Sequence, residues 1–234
     1  MIPLKDYNPT RRRPIVTVGL VLLGVVVFLW QISEGARGFE RTVYGLGMIP
    51  AVLTGQARLA PELEMVAPWA TLFTSMFLHG GWMHLIGNML YLWIFGNNVE
   101  DRLGHGAFLL FYLASGLAAA AAQILPDPGA ETPMVGASGA ISGVLGAYLV
   151  FFPRARVLVL VPVGFLFIYT LPAGWLLGFW FFFQILSALV TPPTAGGVAW
   201  WAHIGGFAFG VLVAVLLRGG IRRKPPLPRR GPWG

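Results

Sequence analysis

Four polar side chains stand inside long apolar stretches of this sequence: Ser138, His203, His84 and Asn88. Polar groups are costly in hydrocarbon, so within apolar segments they indicate function by default. A serine hydroxyl becomes a nucleophile when an imidazole takes its proton, and His and Asn side chains can donate hydrogen bonds to a developing oxyanion. The alternative is that these groups only join helices, because Ser, Asn and His also form hydrogen bonds between membrane helices.

Ser138 lies within the sequence Gly-Ala-Ser-Gly and opens a predicted helix. The free N–H groups and the positive dipole end at a helix N-terminus favour negative charge. This position suits a nucleophile whose adduct with a carbonyl group becomes an oxyanion. The same serine could instead cap the helix, or belong to a small-residue packing face with Gly139, Gly143 and Ala147.

His203 precedes Gly206 and Gly210, a GxxxG pair that allows close helix packing. If the helices of Ser138 and His203 pack through their small residues, the two side chains come within hydrogen-bond reach. Taken alone, His203 could simply be bonded to a backbone carbonyl group.

His84 and Asn88 are four residues apart and therefore share one face of a helix. Both side chains can donate hydrogen bonds, as an oxyanion site requires. His79 lies off that face and is predicted to be structural.

The composition shows what kind of scaffold must position these groups. Of the 234 residues, 56% are hydrophobic and 11% are charged, whereas a soluble domain carries about 25% charged residues. This composition excludes an ordinary soluble enzyme, a disordered tail protein and a disulfide-stapled secreted domain. The absence of cysteine also excludes a thiolate metal site and a cysteine nucleophile.

Charged residues are missing from five stretches, and a membrane-spanning helix needs about 20 mostly apolar residues. We therefore predict an all-α bundle of six transmembrane helices. The predicted spans are 14–32, 82–98, 106–124, 137–152, 172–190 and 199–217. The apolar segment 157–171 is interrupted by Pro162 and Gly164, and we interpret it as a buried or interfacial connector rather than a seventh span.

The Lys and Arg residues predict the orientation of the bundle, because cytoplasmic flanks carry an excess of them. Three arginines precede the first span and six basic residues follow the last. Both termini should therefore be cytoplasmic, with 1–13 an N-terminal segment, 14–217 the membrane domain and 218–234 a basic, Pro-rich tail. We favour this interpretation of the net charge of +7 over a nucleic-acid partner. The loop 126–135 contains no Lys or Arg and should lie outside.

The residue types that are absent from the predicted spans disfavour several other kinds of membrane protein. The sequence has no His-Glu-x-x-His motif of a zinc protease, and the spans hold no pair of carboxylates for an aspartyl site. A proton-coupled transporter, which usually depends on intramembrane Asp, Glu or His, is disfavoured for the same reason. Ser138 and His203 could form only a dyad.

Four segments together resemble the rhomboid intramembrane serine proteases: 79–88, 100–104, 136–139 and 202–206. The resemblance runs from about residue 69 to residue 210. It implies that Ser138 is the nucleophile and His203 the general base, with His84, Asn88 and the Ser138 backbone N–H as the oxyanion hole. It also implies substrates that are transmembrane or juxtamembrane segments of other membrane proteins, and no metal or other cofactor. The fifth helix and the loop 126–135 would gate entry.

Two positions depart from the rhomboid pattern. Ala70 follows Trp69 where many members have arginine. This difference puts in question how the first loop, residues 33–81 between the first two predicted spans, is anchored. Ser142 stands where some bacterial members have a tyrosine that packs against the histidine. His203 must then be held by another group, such as a neighbouring aromatic side chain.

The expected activity is thus an intramembrane serine endopeptidase in a lipid bilayer, most simply the plasma (inner) membrane. One alternative is a catalytically inactive rhomboid-like protein that binds membrane proteins. Another is a small-molecule transporter or channel, although no inverted repeat is detectable. The sequence leaves the oligomeric state open.

Overall fold

The computed structural model describes residues 1–163, 165–192 and 197–219. Long helices form the body of the molecule, and short helices lie within the first loop. In chain order the helices are α1 (Ile15–Ser33), α2 (Gly35–Leu46), α3 (Pro50–Leu53), α4 (Thr71–Thr74), α5 (Trp82–Tyr91), α6 (Asn97–Leu103), α7 (His105–Ile124), α8 (Ser138–Phe151), α9 (Ala173–Val190) and α10 (Trp200–Leu217). A π-helical turn, Leu92–Gly96, joins α5 to α6 without a break.

Each of the six predicted spans coincides with one long helical segment. Four helices are by themselves long and apolar enough to cross a membrane: α1, α7, α9 and α10. The second predicted span is the continuous run from α5 to α6. The fourth, α8, has only 14 residues, which at 1.5 Å per residue is about 21 Å. Because the hydrocarbon core is about 30 Å thick, α8 cannot reach both membrane surfaces.

Helix α8 occupies the centre of the bundle, and its residues from Gly139 to Tyr148 are all buried. It packs against α10 through glycines. A Cβ on Gly206 would clash with the carbonyl oxygen of Gly139, and a Cβ on Gly210 would clash with that of Gly143. The two helices thus pack through their small residues, which is the condition under which the sequence allows Ser138 and His203 to meet.

Residues 157–163 and 165–171 form the two paired strands of a β-hairpin, which the sequence analysis did not predict. Strands β1 (Ile2–Asp6), β2 (Arg156–Val163) and β3 (Phe165–Pro172) form an antiparallel sheet in the order β1-β2-β3. The hairpin is rich in Val, Phe, Ile, Tyr and Thr, which favour strands. Val157 and Val159 are both buried and lie on the same face of β2. The segment is thus a connector rather than a seventh span, and it adds a small sheet to the helical bundle.

Strand β1 also fastens the N-terminal segment to the bundle. The Asp6 carboxylate accepts hydrogen bonds from the Tyr148 hydroxyl on α8 at 2.8 Å and from Asn98 Nδ2 on α6 at 2.7 Å. Burial raises the pKa of the Asp6 carboxyl above its ordinary value, although these two hydrogen bonds act in the opposite direction. The predicted cytoplasmic segment 1–13 therefore contains a strand that contacts the membrane domain.

The motif at 100–104 holds the start of α1 in place. The Glu100 carboxylate accepts hydrogen bonds from the backbone N–H groups of Val16 and Thr17, at 2.9 and 2.8 Å, and from the Thr17 hydroxyl at 2.7 Å. A carboxylate at a helix N-terminus satisfies free N–H groups and complements the helix dipole.

The first loop is anchored without the arginine that is missing at position 70. Arg41 Nε donates to the Glu62 carbonyl oxygen at 3.1 Å, and the Thr74 hydroxyl donates to the Leu46 carbonyl oxygen at 2.6 Å. The basic tail predicted at 218–234 lies outside the described residues from position 220 onward.

The glycine contact between α8 and α10 predicts that a larger side chain at this contact lowers the stability of the folded protein. Gly206→Val forces a side chain against backbone, and overpacking of this kind costs about 1–3 kcal/mol. Gly178→Val is the matched control, because no atom lies within 4 Å of a Cβ at that position of α9. Thermal unfolding in detergent micelles should show a lower midpoint for Gly206→Val alone. A midpoint equal to that of the wild type would contradict the packing described here.

The predicted orientation can be tested cleanly because the chain has no cysteine. Glu131→Cys and Arg154→Cys place single thiols at two exposed loop positions. A membrane-impermeant maleimide should label residue 131 in sealed cells and residue 154 only after permeabilisation, since the two loops are predicted on opposite sides. Labelling of both from the same side would refute the orientation.

Candidate active site

The structure brings Ser138 and His203 together. His203 Nε2 lies 2.8 Å from Ser138 Oγ, a distance typical of a hydrogen bond. Ser138 is the first residue of α8, and His203 lies in the first turn of α10. The glycine contact between these helices therefore places both side chains at the same end of the bundle.

The turn before Ser138 requires glycine at position 136. Gly136 has φ +122°, a conformation that other residues rarely adopt. A Cβ at this position would lie 2.6 Å from His84 Nε2. The Gly136 N–H donates to the Ser75 carbonyl oxygen at 2.8 Å, which fixes the turn against the first loop.

His84 and Asn88 face this turn from α5. A Cβ on Gly136 would be 3.6 Å from Asn88 Nδ2, so both side chains flank the backbone that leads into Ser138. His84 Nδ1 accepts a hydrogen bond from the Gly80 N–H at 3.3 Å. In the neutral ring the proton then resides on Nε2, the nitrogen that faces Gly136.

Asn88 carries a donor without an acceptor. Its Nδ2 is buried and has no hydrogen-bond partner among the residues that the structure describes. Leaving a buried donor unsatisfied costs roughly 1–3 kcal/mol, so such a group calls for an explanation. Ser138 adds a further donor, because the first N–H groups of a helix have no intrahelical acceptor.

These groups surround one cavity of about 630 Å³, within the range of about 300–1,000 Å³ that is usual for ligand sites. Its lining includes Ser138, His203, His84 and Asn88, together with Met134 of the loop 126–135. Two backbone hydrogen bonds join Met134 to Met48, at 3.0 and 2.8 Å. The loop is thereby tied to the first loop at the rim of the cavity.

Gln184 on α9 is a site residue that the sequence analysis missed. Its Oε1 lies 2.8 Å from His203 Nδ1, and its side chain is buried. The available signal was an uncharged polar residue in an apolar span. The expected aromatic neighbours are also present, since the rings of Trp180 and Trp200 have centroids 5.9 and 6.2 Å from that of His203.

Two nearby polar residues have structural contacts. The Ser142 hydroxyl donates to the Ser138 carbonyl oxygen at 2.7 Å. His79 is fully buried, and its backbone N–H donates to Gln31 Oε1 at 3.0 Å. Within the described parts of the chain, no group of three His, Cys, Asp or Glu residues is arranged to hold a metal ion.

Residues 67–220 match the Rhomboid domain family. The chain belongs to the rhomboid family. This assignment agrees with the order of the motifs and with the helical membrane bundle. It also makes the protein an integral membrane protein, in contact with a lipid bilayer.

Several rhomboid relatives show how far the similarity extends. Rhomboid protein 1, mitochondrial, of Saccharomyces cerevisiae is 29% identical over 84% of this chain and 56% of its own length. Presenilin-associated rhomboid-like protein A, mitochondrial, of Danio rerio is 34% identical over 82% of this chain and 51% of its own. Rhomboid protease GluP of Bacillus subtilis is 36% identical over 58% of this chain and 24% of its own.

This rhomboid chain therefore spans between a quarter and just over half of the length of these relatives. Two of the three are mitochondrial and one is bacterial. The similarity assigns the chain to a membrane, and it does not favour the plasma membrane expected from the sequence.

The short contact between Ser138 and His203 predicts a serine of unusual reactivity. A fluorophosphonate probe should label the wild type at Ser138 and should fail to label Ser138→Ala. Labelling should also fall sharply in His203→Ala, because an unactivated hydroxyl reacts poorly. Mass spectrometry locates the adduct, and Ser33→Ala, an exposed serine of α1, is the matched control. Equal labelling of wild type and His203→Ala would show that the imidazole does not activate the serine.

Proposed function

We propose that this rhomboid is an intramembrane serine endopeptidase that cleaves transmembrane or juxtamembrane segments of other membrane proteins. The observation that carries the proposal is the 2.8 Å contact between His203 Nε2 and Ser138 Oγ, at a cavity lined by further hydrogen-bond donors. That Rhomboid protease GluP is among the relatives supports it at the level of the family.

In the first half of the reaction, Ser138 Oγ attacks the carbonyl carbon of the scissile peptide bond while His203 Nε2 takes the hydroxyl proton. The resulting imidazolium gives this proton to the leaving amine, and the C–N bond breaks. An ester then joins Ser138 to the N-terminal part of the substrate. In the second half, His203 takes a proton from water, the hydroxide attacks the ester, and Ser138 recovers its proton.

The oxyanion of each tetrahedral intermediate requires donors that are in place before the reaction. His84 Nε2, Asn88 Nδ2 and the Ser138 backbone N–H are the groups proposed for this role. The unpaired Asn88 Nδ2 supports the assignment, because the intermediate would supply the acceptor that this donor lacks. His84 is held as an Nε2–H donor by the hydrogen bond from Gly80.

The position of the site supports the proposed substrate class. The cavity stands within an apolar bundle, and a peptide must be non-helical for Ser138 to reach its carbonyl group. Non-helical backbone at membrane depth is tolerated only where it is buried in protein or lines a water-filled cavity. A transmembrane segment that unwinds locally inside this cavity meets both conditions, and the cavity also admits the water that hydrolyses the ester.

Cleavage of a model transmembrane substrate by the purified protein in liposomes tests the proposal. Ser138→Ala and His203→Ala should insert and fold, and should lose activity by at least about 10³-fold, as in soluble serine proteases. Asn88→Ala should lower kcat by about 10²–10³-fold, as loss of one oxyanion donor does elsewhere.

Thermal unfolding and size-exclusion elution of each variant serve as the controls for folding. Cleavage by Ser138→Ala at the wild-type rate would overturn the assignment. Binding of the substrate by the wild type without any cleavage would instead favour the inactive, membrane-protein-binding alternative.

A further inference from the structure

We propose that Gln184 is a positioning residue that fixes the tautomer and the ring orientation of His203. Ser138, His203 and Gln184 then work as a hydrogen-bonded series of three residues from three helices, α8, α10 and α9. This inference rests on the proposed peptidase function and adds a residue to it.

The contacts of His203 occupy both ring nitrogens. Nε2 lies 2.8 Å from Ser138 Oγ, and Nδ1 lies 2.8 Å from Gln184 Oε1. Both His203 and Gln184 are buried, so bulk water does not compete for the hydrogen bond between them. The imidazole is thus held at its two ends by side chains from two other helices.

The orientation of the Gln184 amide follows from its other contact. Its Nε2 lies 3.3 Å from the Trp180 carbonyl oxygen, one turn earlier on α9. A carbonyl oxygen can only accept, so the NH₂ group of Gln184 must face Trp180. The amide oxygen must then face His203, and it can only accept as well.

An acceptor beside Nδ1 determines which nitrogen of His203 carries the proton. In the neutral ring one nitrogen is a donor and the other an acceptor, and the partner of one nitrogen fixes the role of the other. Nδ1 must donate to Gln184 Oε1, which leaves the lone pair on Nε2. This lone pair faces Ser138 Oγ and is available for its proton.

A neutral amide suits this depth in the membrane better than a carboxylate. A buried carboxylate carries a desolvation cost of several kcal/mol, and charged side chains inside a membrane are rare for the same reason. Gln184 provides the acceptor without that charge. When His203 becomes an imidazolium during the reaction, the amide oxygen still accepts from Nδ1–H.

The contact also makes His203 depend on the position of α9. This helix exposes many of its aromatic side chains, including Phe179, Phe182 and Phe183, so it lies at the edge of the bundle. An outward shift of about 1 Å would lengthen the bond to His203 beyond hydrogen-bonding distance. His203 is correctly oriented only while α9 is packed against α10.

Substitutions of Gln184 by residues of similar size test this inference in proteoliposomes. Gln184→Leu should lower kcat by about 10–100-fold, by analogy with the loss of a partner that orients a metal-bound histidine, with little change in KM. Gln184→Glu should restore most of kcat, because the acceptor returns. Leu186→Ala, on the exposed side of α9, is the control and should keep the wild-type kcat.

The pH profile separates positioning from packing. A carboxylate at position 184 favours the imidazolium form, so the acid limb of kcat should move to higher pH in Gln184→Glu. The groups that contact His203 are Ser138 from α8, Gln184 and Trp180 from α9, and Trp200 from its own helix. His84 is a further titratable side chain at the same cavity. His84 is unchanged in these variants and cannot cause the difference.

Two results would overturn the inference: a wild-type kcat and pH profile in Gln184→Leu, or an unshifted acid limb in Gln184→Glu. If Gln184→Leu fails to fold, the acid limb of the kcat profile of Gln184→Glu, compared with that of the wild type, decides whether the inference holds. Ser138→Ala is assayed in parallel. If Ser138→Ala is inactive while the Gln184 variants behave as the wild type, only the role of Gln184 fails. If Ser138→Ala still cleaves, the proposed peptidase function fails, and the role of Gln184 fails with it.

Discussion

The hydrogen bond between Ser138 and His203 depends on how closely α8 packs against α10. It joins two helices that can approach closely enough only because glycines replace side chains along their contact. The carbonyl oxygens of Gly139 and Gly143 occupy the space that a Cβ on Gly206 or Gly210 would need. Packing at native density leaves no room for gradual adjustment, so the same contact that builds the core also sets the distance between Ser138 and His203. Gly136, with its positive φ, then brings the backbone of Ser138 beside His84 and Asn88.

The membrane accounts for the chemical character of this site. The proposed hydrolysis requires water-filled space, and the short α8 begins at a cavity inside the apolar bundle where such space can lie. Charged groups are costly at that depth, and the site is built from hydroxyl, imidazole and amide groups. The carboxylates of Asp6 and Glu100 are instead held by hydrogen bonds at the opposite ends of the helices, where they fasten β1 and α1. Charge therefore anchors the bundle, and neutral polar groups form the candidate site.

Much of this arrangement could be predicted from single residues and their spacing. The long apolar stretches predicted the helices, and the glycine patterns of α8 and α10 indicated that these two helices could pack closely, because both signals are local. The β-hairpin was missed because Val157–Leu171 is as apolar as a membrane-spanning helix. In addition, its pairing with β1 joins residues about 150 positions apart. Gln184 was missed for a related reason. Its partner lies on a neighbouring helix, and nothing in the sequence gives the rotation of α9 that turns it towards His203.

The most direct test is to search for the ester between substrate and enzyme. Wild-type protein is mixed with a model transmembrane substrate in liposomes, quenched in acid within the first turnover and analysed by mass spectrometry. If the proposed peptidase function holds, the N-terminal fragment of the substrate is attached to Ser138, and the adduct is absent from His203→Ala. Cleavage that proceeds with no adduct on Ser138, or with an adduct on another residue, would contradict it.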